Sequence, residues 1–240
     1  MTLDQRQQNI RNYIPGSGLI KLRRGIKQGV NDDRFLVNVP KNASSYLYSW
    51  TTYHEWQVVK AEDMFQTKEL VAVLRNPLDR WISGFSQYIT SYILNVYGPN
   101  GPLYPGIDEP TEHDNAWSGD DFVSMYNPLV ERLIFDVIDR FDDHTQMQCD
   151  VIRGLFPNAK KTYFMMEEID SKLGPYLELP PAGENIDRNL GSSNPSTRKV
   201  QEFIQAKLHH RPDLVKRVKK RYEPDYDFIK QARPDVEFKD

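Results

Sequence analysis

Short apolar runs alternate along this chain with segments of helical periodicity, and this alternation restricts the folds that it can adopt. Residues 35–39, 70–74 and 162–166 form runs that are nearly all apolar, as strands buried on both faces of a sheet are. Residues 56–60 are a weaker strand candidate. Because strands that alternate with helices usually pair in parallel, the sequence predicts a three-layer α/β fold, with helices on both sides of a mostly parallel central sheet.

The helical segments carry apolar residues at spacings of three and four, the pattern of an amphipathic helix. One helix is expected to begin at Asn76-Pro77, because Asn is a good N-cap and Pro suits the first helical position. The aromatic-rich segment 44–53 lacks Gly and Pro and is also compatible with a helix. Further helices are expected over residues 127–141, around residues 200–208 and, as the last one, from Asp213.

The size of the chain favours one domain. Its 240 residues, 39% of them hydrophobic, can bury one substantial core, and a single domain is expected over residues 1–240. Residues 98–121 differ from the rest, with four Pro, four Gly, six acidic residues and no Lys or Arg. Because this segment is too long for an ordinary connection, it is interpreted as a loop insertion that is either functional or flexible.

Charge and cysteine content exclude several classes of protein. Lys and Arg number 31 against 34 Asp and Glu, whereas a dedicated nucleic-acid binder usually carries a strongly basic face. The single cysteine, Cys149, permits neither an internal disulfide nor a cysteine-based zinc site. The N-terminus lacks the apolar core of a signal peptide, and no apolar run approaches about 18 residues. A soluble, cytoplasmic protein with no membrane span and no nucleic-acid partner is therefore expected.

Two strand-to-helix junctions stand out, and the first is V-P-K-N-A-S-S, residues 39–45. A strand stops there and a helix begins, so unpaired backbone N–H groups and the positive end of the helix dipole are expected. Ala43, Ser44 and Ser45 are small enough for an anionic oxygen to approach, and Lys41 adds a full positive charge. The junction is either an anion-binding cradle or simply a strand, a turn and a capped helix. It does not match the G-x-x-x-x-G-K-[ST] loop of nucleotide hydrolases.

The second junction is V-L-R-N-P-L-D-R-W-I-S-G-F, residues 73–85. Arg75 follows a predicted strand directly, at the sheet edge where α/β proteins bind ligands, and its guanidinium can make a forked contact with a phosphate. Ser83 lies about two helical turns further on. Arg80 either contacts a ligand as well or forms a pair on the helix surface with Asp79 or a neighbour.

Together, P-K-N-A-S-S-Y-L and L-R-N-P-L-D-R-W-I-S-G-F resemble the two cofactor signatures of the sulfotransferases that use 3′-phosphoadenosine 5′-phosphosulfate (PAPS) and release PAP. The similarity is greatest to the carbohydrate (Golgi-type) branch and its soluble bacterial or viral relatives, and it implies their P-loop-like sulfotransferase fold. This chain departs from the pattern at Ala43-Ser44, where many members carry Gly-Gly or Ala-Gly. The cofactor-binding residues implied by the resemblance are Lys41, Asn42, Ala43, Ser44 and Ser45 for the 5′-phosphosulfate, Arg75 and Ser83 for the 3′-phosphate, and Ser192 in a loop that closes over the nucleotide.

Three further segments are similar to the same family, so the resemblance runs from Phe35 to Phe228. D-H-T-Q-M-Q contains its His-x-x-x-Gln pair, F-M-M-E-E-I is similar to its strand that ends in Glu, and R-Y-E-P-D-Y-D-F is similar to its closing Tyr-x-x-Asp element. Of Glu167 and Glu168, one would orient the pocket and the other would be solvated. Residues 98–121 fall where a loop for acceptor specificity could lie.

The resemblance implies in-line transfer of a sulfuryl group from PAPS to a hydroxyl or amine of a glycan or small-molecule acceptor, without a metal ion. Lys41 would neutralise charge on the leaving oxygen of the nucleotide. The general base is either Glu62, expected at the carboxyl end of the strand in residues 56–60, or His54 at the opposite end. His144 would contact the acceptor, support the pocket or play a structural role.

Two other functions stay open. A nucleotide-dependent kinase could use the same cradle, but the chain lacks a Walker Lys-[ST] pair and an evident acidic partner for magnesium. A non-catalytic nucleotide-binding protein could keep the pocket without transferring a group. The presence of Lys41 and Glu62 favours an enzyme over that second alternative.

Overall fold

A computed structural model describes residues 26–28, 34–58, 68–90, 145–153, 155, 158–180 and 195–238 of the chain. The loop insertion expected at residues 98–121 and the helix expected at residues 127–141 lie outside these described residues. Within them, no helix combines the length and the apolar character that a membrane span requires.

The described strands form one mixed sheet with a parallel centre. They are β1 (Ile26–Gln28), β2 (Arg34–Val37), β3 (Gln57–Val58), β4 (Glu69–Leu74) and β5 (Lys160–Met165), and their order across the sheet is β3-β1-β2-β4-β5. Strand β4 pairs in parallel with β2 and with β5, while β1 is antiparallel to β2 and to β3. The three long apolar runs are therefore the parallel strands, as predicted. Strand β1 was not predicted, because Ile-Lys-Gln contains a single apolar residue.

Described helices lie at residues 44–53, from Pro77, around residues 200–208 and at Asp213 as predicted, while two short helices, at residues 148–153 and 174–176, were not predicted. The described helices are α1 (Ser44–Tyr53), α2 (Pro77–Tyr88), α3 (Gln148–Arg153), α4 (Gly174–Tyr176), α5 (Pro195–His209), α6 (Pro212–Arg221) and α7 (Glu223–Ala232). A 3-10 turn (Met166–Glu168) and a π-helical segment (Ile169–Leu173) connect β5 to α4. The prediction that the helix from Asp213 is the last one is wrong, since α7 follows it. Pro224 allows this restart, because proline is tolerated in the first turn of a helix.

The described residues divide into two compact units. The first contains the sheet with α1, α3, α4 and most of α7, and the second contains α2, α5 and α6. In the first unit, side chains alternate between the two faces of each parallel strand, and helices cover both faces. One face packs on α3 and α7 through Phe35, Val37, Leu70, Ala72, Leu74, Cys149, Ile152, Phe228 and Ile229. The other packs on α1 and α4 and on the π-helical segment through Leu36, Val71, Val73, Leu47, Trp50, Leu173 and Leu177. This is the α/β class that the sequence predicts, with three parallel strands flanked by helices, but the antiparallel pairings of β1 make the sheet mixed instead of mostly parallel.

The described part of the second unit packs through the apolar faces of α2, α5 and α6. Trp81 and Phe85 of α2 stack with their ring centroids 5.1 Å apart. Most of the periodic apolar residues of α5 and α6 are buried as predicted, while Phe203 and Val215 are only partly buried. Arg80 is only 1% exposed, so its interpretation as a surface partner of Asp79 is wrong. The reason is helical spacing: Arg80 falls in the same buried stripe as Pro77 and Gly84.

Candidate functional site

The turn that follows β2 places a non-glycine residue in a left-handed conformation. The N–H of Asn42 donates to the carbonyl oxygen of Val39 (3.1 Å), which closes a β-turn with Lys41 as its third residue, at φ 68°. Pro40 suits the second position of a type II turn, but the third position normally favours Gly or Asn. For a residue with a Cβ this conformation costs about 1 kcal/mol, and backbone strain of this kind concentrates at functional sites.

Helix α1 begins at a second left-handed residue. Ala43, its N-cap, has φ 58° and ψ 27°, and no side chain caps the helix here. The first helical hydrogen bond runs from the N–H of Leu47 to the carbonyl of Ala43 (2.9 Å), so the N–H groups of Ser44 and Ser45 precede the helical ladder. Left-handed residues turn neighbouring N–H groups towards a common concave side, where the helix dipole adds positive potential. The backbone at Ala43 is thus compatible with the anion-binding cradle that the sequence predicts, which stays a prediction.

Arg75 connects the two junctions that the sequence singled out. It follows β4 directly, and the register of the parallel pair, with Val37 opposite Ala72, brings the carboxyl ends of β2 and β4 side by side. The half-buried Arg75 donates from Nη1 to the carbonyl oxygen of Lys41, at 2.9 Å. The two motif segments therefore meet at one edge of the sheet.

Asn42 is fully buried beneath this edge. Its Nδ2 donates to the carbonyl oxygen of Val73 and to Oε1 of Gln148, both at 2.8 Å. Because these two bonds use both amide hydrogens, Asn42 ties the Lys41 turn to β4 from below. The structure gives it a structural role, and a direct contact between Asn42 and a ligand stays a prediction.

Gln148, the first residue of α3, lies fully buried between the two junctions. The N–H of Arg75 donates to its Oε1 (3.1 Å), and its Nε2 donates to the carbonyl oxygen of Arg75 (2.8 Å). The motif resemblance names Gln148, but nothing in the sequence predicts these contacts. The only local signal is a polar residue at the start of a short helix, which is common in many folds.

The start of α3 is held in turn by Asp225 of α7, the acid of the Tyr-x-x-Asp element. Its carboxylate oxygens accept hydrogen bonds from the N–H of Gln148 (3.1 Å) and of Cys149 (2.8 Å), and Asp225 is fully buried. Burial, reinforced by the nearby Asp225 carboxylate, raises the pKa of the Cys149 thiol. Cys149 is therefore a buried thiol whose protonated form is favoured.

At the carboxyl end of β5, Glu168 forms an ion pair. Arg233 binds both of its carboxylate oxygens, at 2.5 and 2.9 Å, and Lys172 donates to it at 2.5 Å. Glu168 also accepts the N–H of Met165 (2.8 Å). Hydrogen bonds, the largest from Arg233, outweigh burial and lower the pKa of Glu168 to about 2. Glu167 beside it is exposed to solvent.

The remaining predicted residues lie in other elements or outside the described residues. His54 is the C-cap of α1, so the ten-residue helix places it about 15 Å along the axis from Ala43. Ser83 is half-buried in α2, which belongs to the second unit. Glu62, His144 and Ser192 lie outside the described residues.

Compared with known proteins, the chain matches no family model, no curated protein and no solved structure. Any functional assignment therefore depends on the motifs and on the geometry at the carboxyl edge of the sheet. Across the described ranges, no three His, Cys, Asp or Glu residues are grouped so that they could hold a metal ion.

Proposed function

We propose that this protein is a sulfotransferase that moves a sulfuryl group from PAPS to a hydroxyl or amine of a glycan or small-molecule acceptor. The observation that carries the proposal is the hydrogen bond from Arg75 Nη1 to the carbonyl oxygen of Lys41. It joins the two segments whose sequences resemble the two halves of a PAPS site. A nucleotide with phosphate groups at both ends of its ribose needs two such anion-binding segments close together.

The 5′ end of the nucleotide would lie against the turn and the start of α1. Ser44 and Ser45 would donate from their N–H groups and hydroxyls, and the ammonium group of Lys41 would balance the negative charge. This donor set fits a phosphosulfate, whose oxygens accept hydrogen bonds and are anionic. The left-handed backbone at Lys41 and Ala43 supports the same assignment, because it shapes the turn for an anion.

The 3′-phosphate would bind Arg75. The bond to the Lys41 carbonyl orients the guanidinium, and a planar guanidinium is well suited to phosphate oxygens. Ser83 keeps the role of a further donor that the resemblance gives it.

PAPS, when bound, would supply an activated sulfuryl group. Lys41 and the N–H groups at the start of α1 would stabilise negative charge as it develops on the leaving oxygen, without needing to reorganise. A general base would take the proton from the acceptor, and the proposal assigns this role to Glu62. His54 is the alternative, but the length of α1 separates it from the cradle.

Calorimetric titration with PAP, and separately with ATP and magnesium, tests the nucleotide assignment. The proposal predicts binding of PAP and weaker or undetectable binding of ATP. Preference for ATP with magnesium would favour a kinase, and absence of PAP binding would contradict the proposal.

Transfer of labelled sulfate from PAPS to a panel of glycans and small hydroxyl compounds tests catalysis. Glu62→Gln should abolish turnover and leave PAP affinity near that of the unchanged protein, because the amide cannot accept the proton. Full turnover by this variant would move the role of base to His54. PAP binding without transfer to any acceptor would favour a non-catalytic nucleotide-binding protein.

A further inference from the structure

One buried side-chain amide, that of Gln148, contacts both junctions at once. Oε1 accepts from the N–H of Arg75 at 3.1 Å and from Nδ2 of Asn42 at 2.8 Å, while Nε2 donates to the carbonyl of Arg75 at 2.8 Å. The orientation of the amide follows from its partners. If the amide were flipped, its NH2 group would face the two donors and its oxygen would face the carbonyl of Arg75, so none of the three hydrogen bonds could form. All three contacts are to parts of the chain that lie in or beside the proposed nucleotide site.

The pairing between Gln148 and Arg75 resembles the pairing of one more strand residue. Arg75 lies one residue beyond the last residue of β4, so no β-ladder fixes its main chain. The amide replaces that ladder by binding both the N–H and the carbonyl of Arg75. Few side chains can do this, since it requires an acceptor and a donor on one planar group. The direction of the Arg75 side chain thus depends on Gln148.

Asn42 receives its position from the same amide. It lies between Lys41 and Ala43, the two left-handed residues of the turn, and its Nδ2 bonds to Gln148 and Val73 anchor it. A buried amide that lost one of these acceptors would leave a donor unsatisfied, which costs about 1–3 kcal/mol. The strained turn is therefore held in register with Arg75 through Gln148.

Asp225 fixes Gln148 itself. Its two carboxylate oxygens accept the N–H groups of Gln148 and Cys149, the first two residues of α3. The positive end of a helix and two hydrogen bonds offset the cost of burying this carboxylate. The position of α3, and with it that of the Gln148 amide, is thus set by a residue of α7.

We infer that Gln148 is a positioning residue of the nucleotide site and that Asp225, from the C-terminal helix, acts through it. The inference rests on the proposed function, because it takes the Lys41 turn and Arg75 as the two nucleotide-binding segments. Neither Gln148 nor Asp225 touches the nucleotide. Their effect is to keep the two segments at the spacing that one ligand requires.

The test compares Gln148→Met and Asp225→Asn with matched controls. Gln231→Met and Asp227→Asn make the same changes at exposed positions of α7. Removing contacts to the amide should weaken PAP binding about 10-fold or more in Gln148→Met and less in Asp225→Asn, which keeps one acceptor oxygen. The controls should bind like the unchanged protein. PAP affinity within threefold of that protein for folded Gln148→Met would overturn the inference.

A purely structural role predicts a different outcome. It would lower the unfolding temperature of both variants and leave the PAP affinity of the folded protein unchanged, measured well below the unfolding transition. Turnover supplies a second criterion: a positioning role raises the KM for PAPS, and the KM for the acceptor stays constant.

Hydrogen exchange in the unchanged protein keeps the inference testable even if a variant fails to fold. The amide of Arg75, bonded to Gln148 beyond the end of β4, should be protected like the amides of β4 itself. Rapid exchange there would show that the pairing is not formed and would overturn the inference. If the unchanged protein binds no PAP, the proposed function fails on its own, and exchange at Arg75 still decides whether Gln148 holds that segment.

Discussion

The amino end of β4, at Glu69, and its carboxyl end, at Arg75, use polar residues in different ways. At the amino edge, Glu69 accepts hydrogen bonds from the hydroxyls of Thr162 and Tyr176 and pairs with Lys160 at 2.9 Å. Burial alone would raise the pKa of Glu69, but these three partners outweigh it and lower the pKa. Here side chains satisfy one another and hold neighbouring strands together.

At the carboxyl edge, polar side chains bind the main chain. Arg75 donates to the carbonyl of Lys41, Asn42 donates to the carbonyl of Val73, and Gln148 pairs with both polar groups of Arg75. The backbone there is left-handed at Lys41 and Ala43, and it is left-handed at the amino edge as well, at Glu178, which pairs with Arg34. Contacts of this kind fix the path of a loop at a cost in strain, which is expected where shape serves binding. Side-chain pairs stabilise the amino end of β4, whereas its carboxyl end has the contacts that the proposed function assigns to nucleotide binding.

The largest expected effect is the loss of nucleotide binding at the carboxyl edge. Arg75→Ala should weaken PAP binding about 100-fold, or about 3 kcal/mol, because a forked, charge-assisted contact with phosphate is lost. Isothermal titration measures the change. Lys41→Ala should act in the same direction.

An arginine of the amino edge provides the control for this substitution. Arg34 begins β2, and its guanidinium donates to the carbonyl of Tyr176 and lies over the Tyr176 ring, 5.5 Å from the centroid. Arg34→Ala should leave PAP affinity unchanged. Equal losses of affinity in the Arg34 and Arg75 variants would show that the two edges do not differ in function.

The second-largest expected effect is a loss of stability, without a loss of nucleotide affinity, at the amino edge. Glu69→Ala should lower the free energy of unfolding by about 2 kcal/mol, because the hydroxyls of Thr162 and Tyr176 lose their common acceptor. Urea unfolding measures it, and PAP affinity at low temperature should not change. A variant as stable as the unchanged protein would contradict the role assigned to this cluster.

A smaller effect concerns pH and the end of β5. The pKa of Glu168 is about 2, below its ordinary value of 4.5, so acid protonates this carboxylate more readily in the unfolded chain. Its contribution to the free energy of unfolding is complete above pH 4.5 and disappears as the pH falls towards about 2. Allowing for partial exposure, this amounts to about 1–2 kcal/mol.

Urea unfolding at pH 5 and pH 3 measures this dependence. Glu168→Gln should be less stable at pH 5 and should lose less stability on acidification than the unchanged protein. Glu167→Gln, the same change at the exposed neighbour, should follow the unchanged protein at both pH values. Parallel behaviour of the two variants would assign the acid sensitivity to other groups.

The sequence predicted the parts of this structure that depend on local pattern. The three parallel strands were predicted because each is an apolar run, and α1 was predicted over the ten residues that it occupies. Strand β1 was missed because Ile-Lys-Gln forms a strand only by pairing with its neighbours. The two junctions were also found locally, from small residues and one basic residue after a strand. That they meet could be expected only from the parallel arrangement of their strands.

The supporting contacts could not be predicted in this way. Gln148 is 73 residues from Arg75 and 106 from Asn42, and a single polar residue carries no signal about partners so far away. The burial of Arg80 could not be predicted from its residue type either. Its charge predicts exposure, whereas its position in the apolar stripe of α2 decides its burial.

The smallest expected effect isolates the strain at the carboxyl edge. Ala43 is left-handed at φ 58°, a conformation in which a Cβ costs about 1 kcal/mol. Ala43→Gly removes this cost, but the greater freedom of glycine in the unfolded chain cancels part of the gain in stability. A net gain in unfolding free energy of about 0.5 kcal/mol is expected. Ala206→Gly, at an exposed position inside α5, should have the opposite sign and cost about 1 kcal/mol. Glycine is also what many sulfotransferases of the resembling family carry here, so PAP binding should be kept. If both variants lost stability equally, the conformation of Ala43 would not be strained, and backbone strain would no longer support the assignment of this turn to ligand binding.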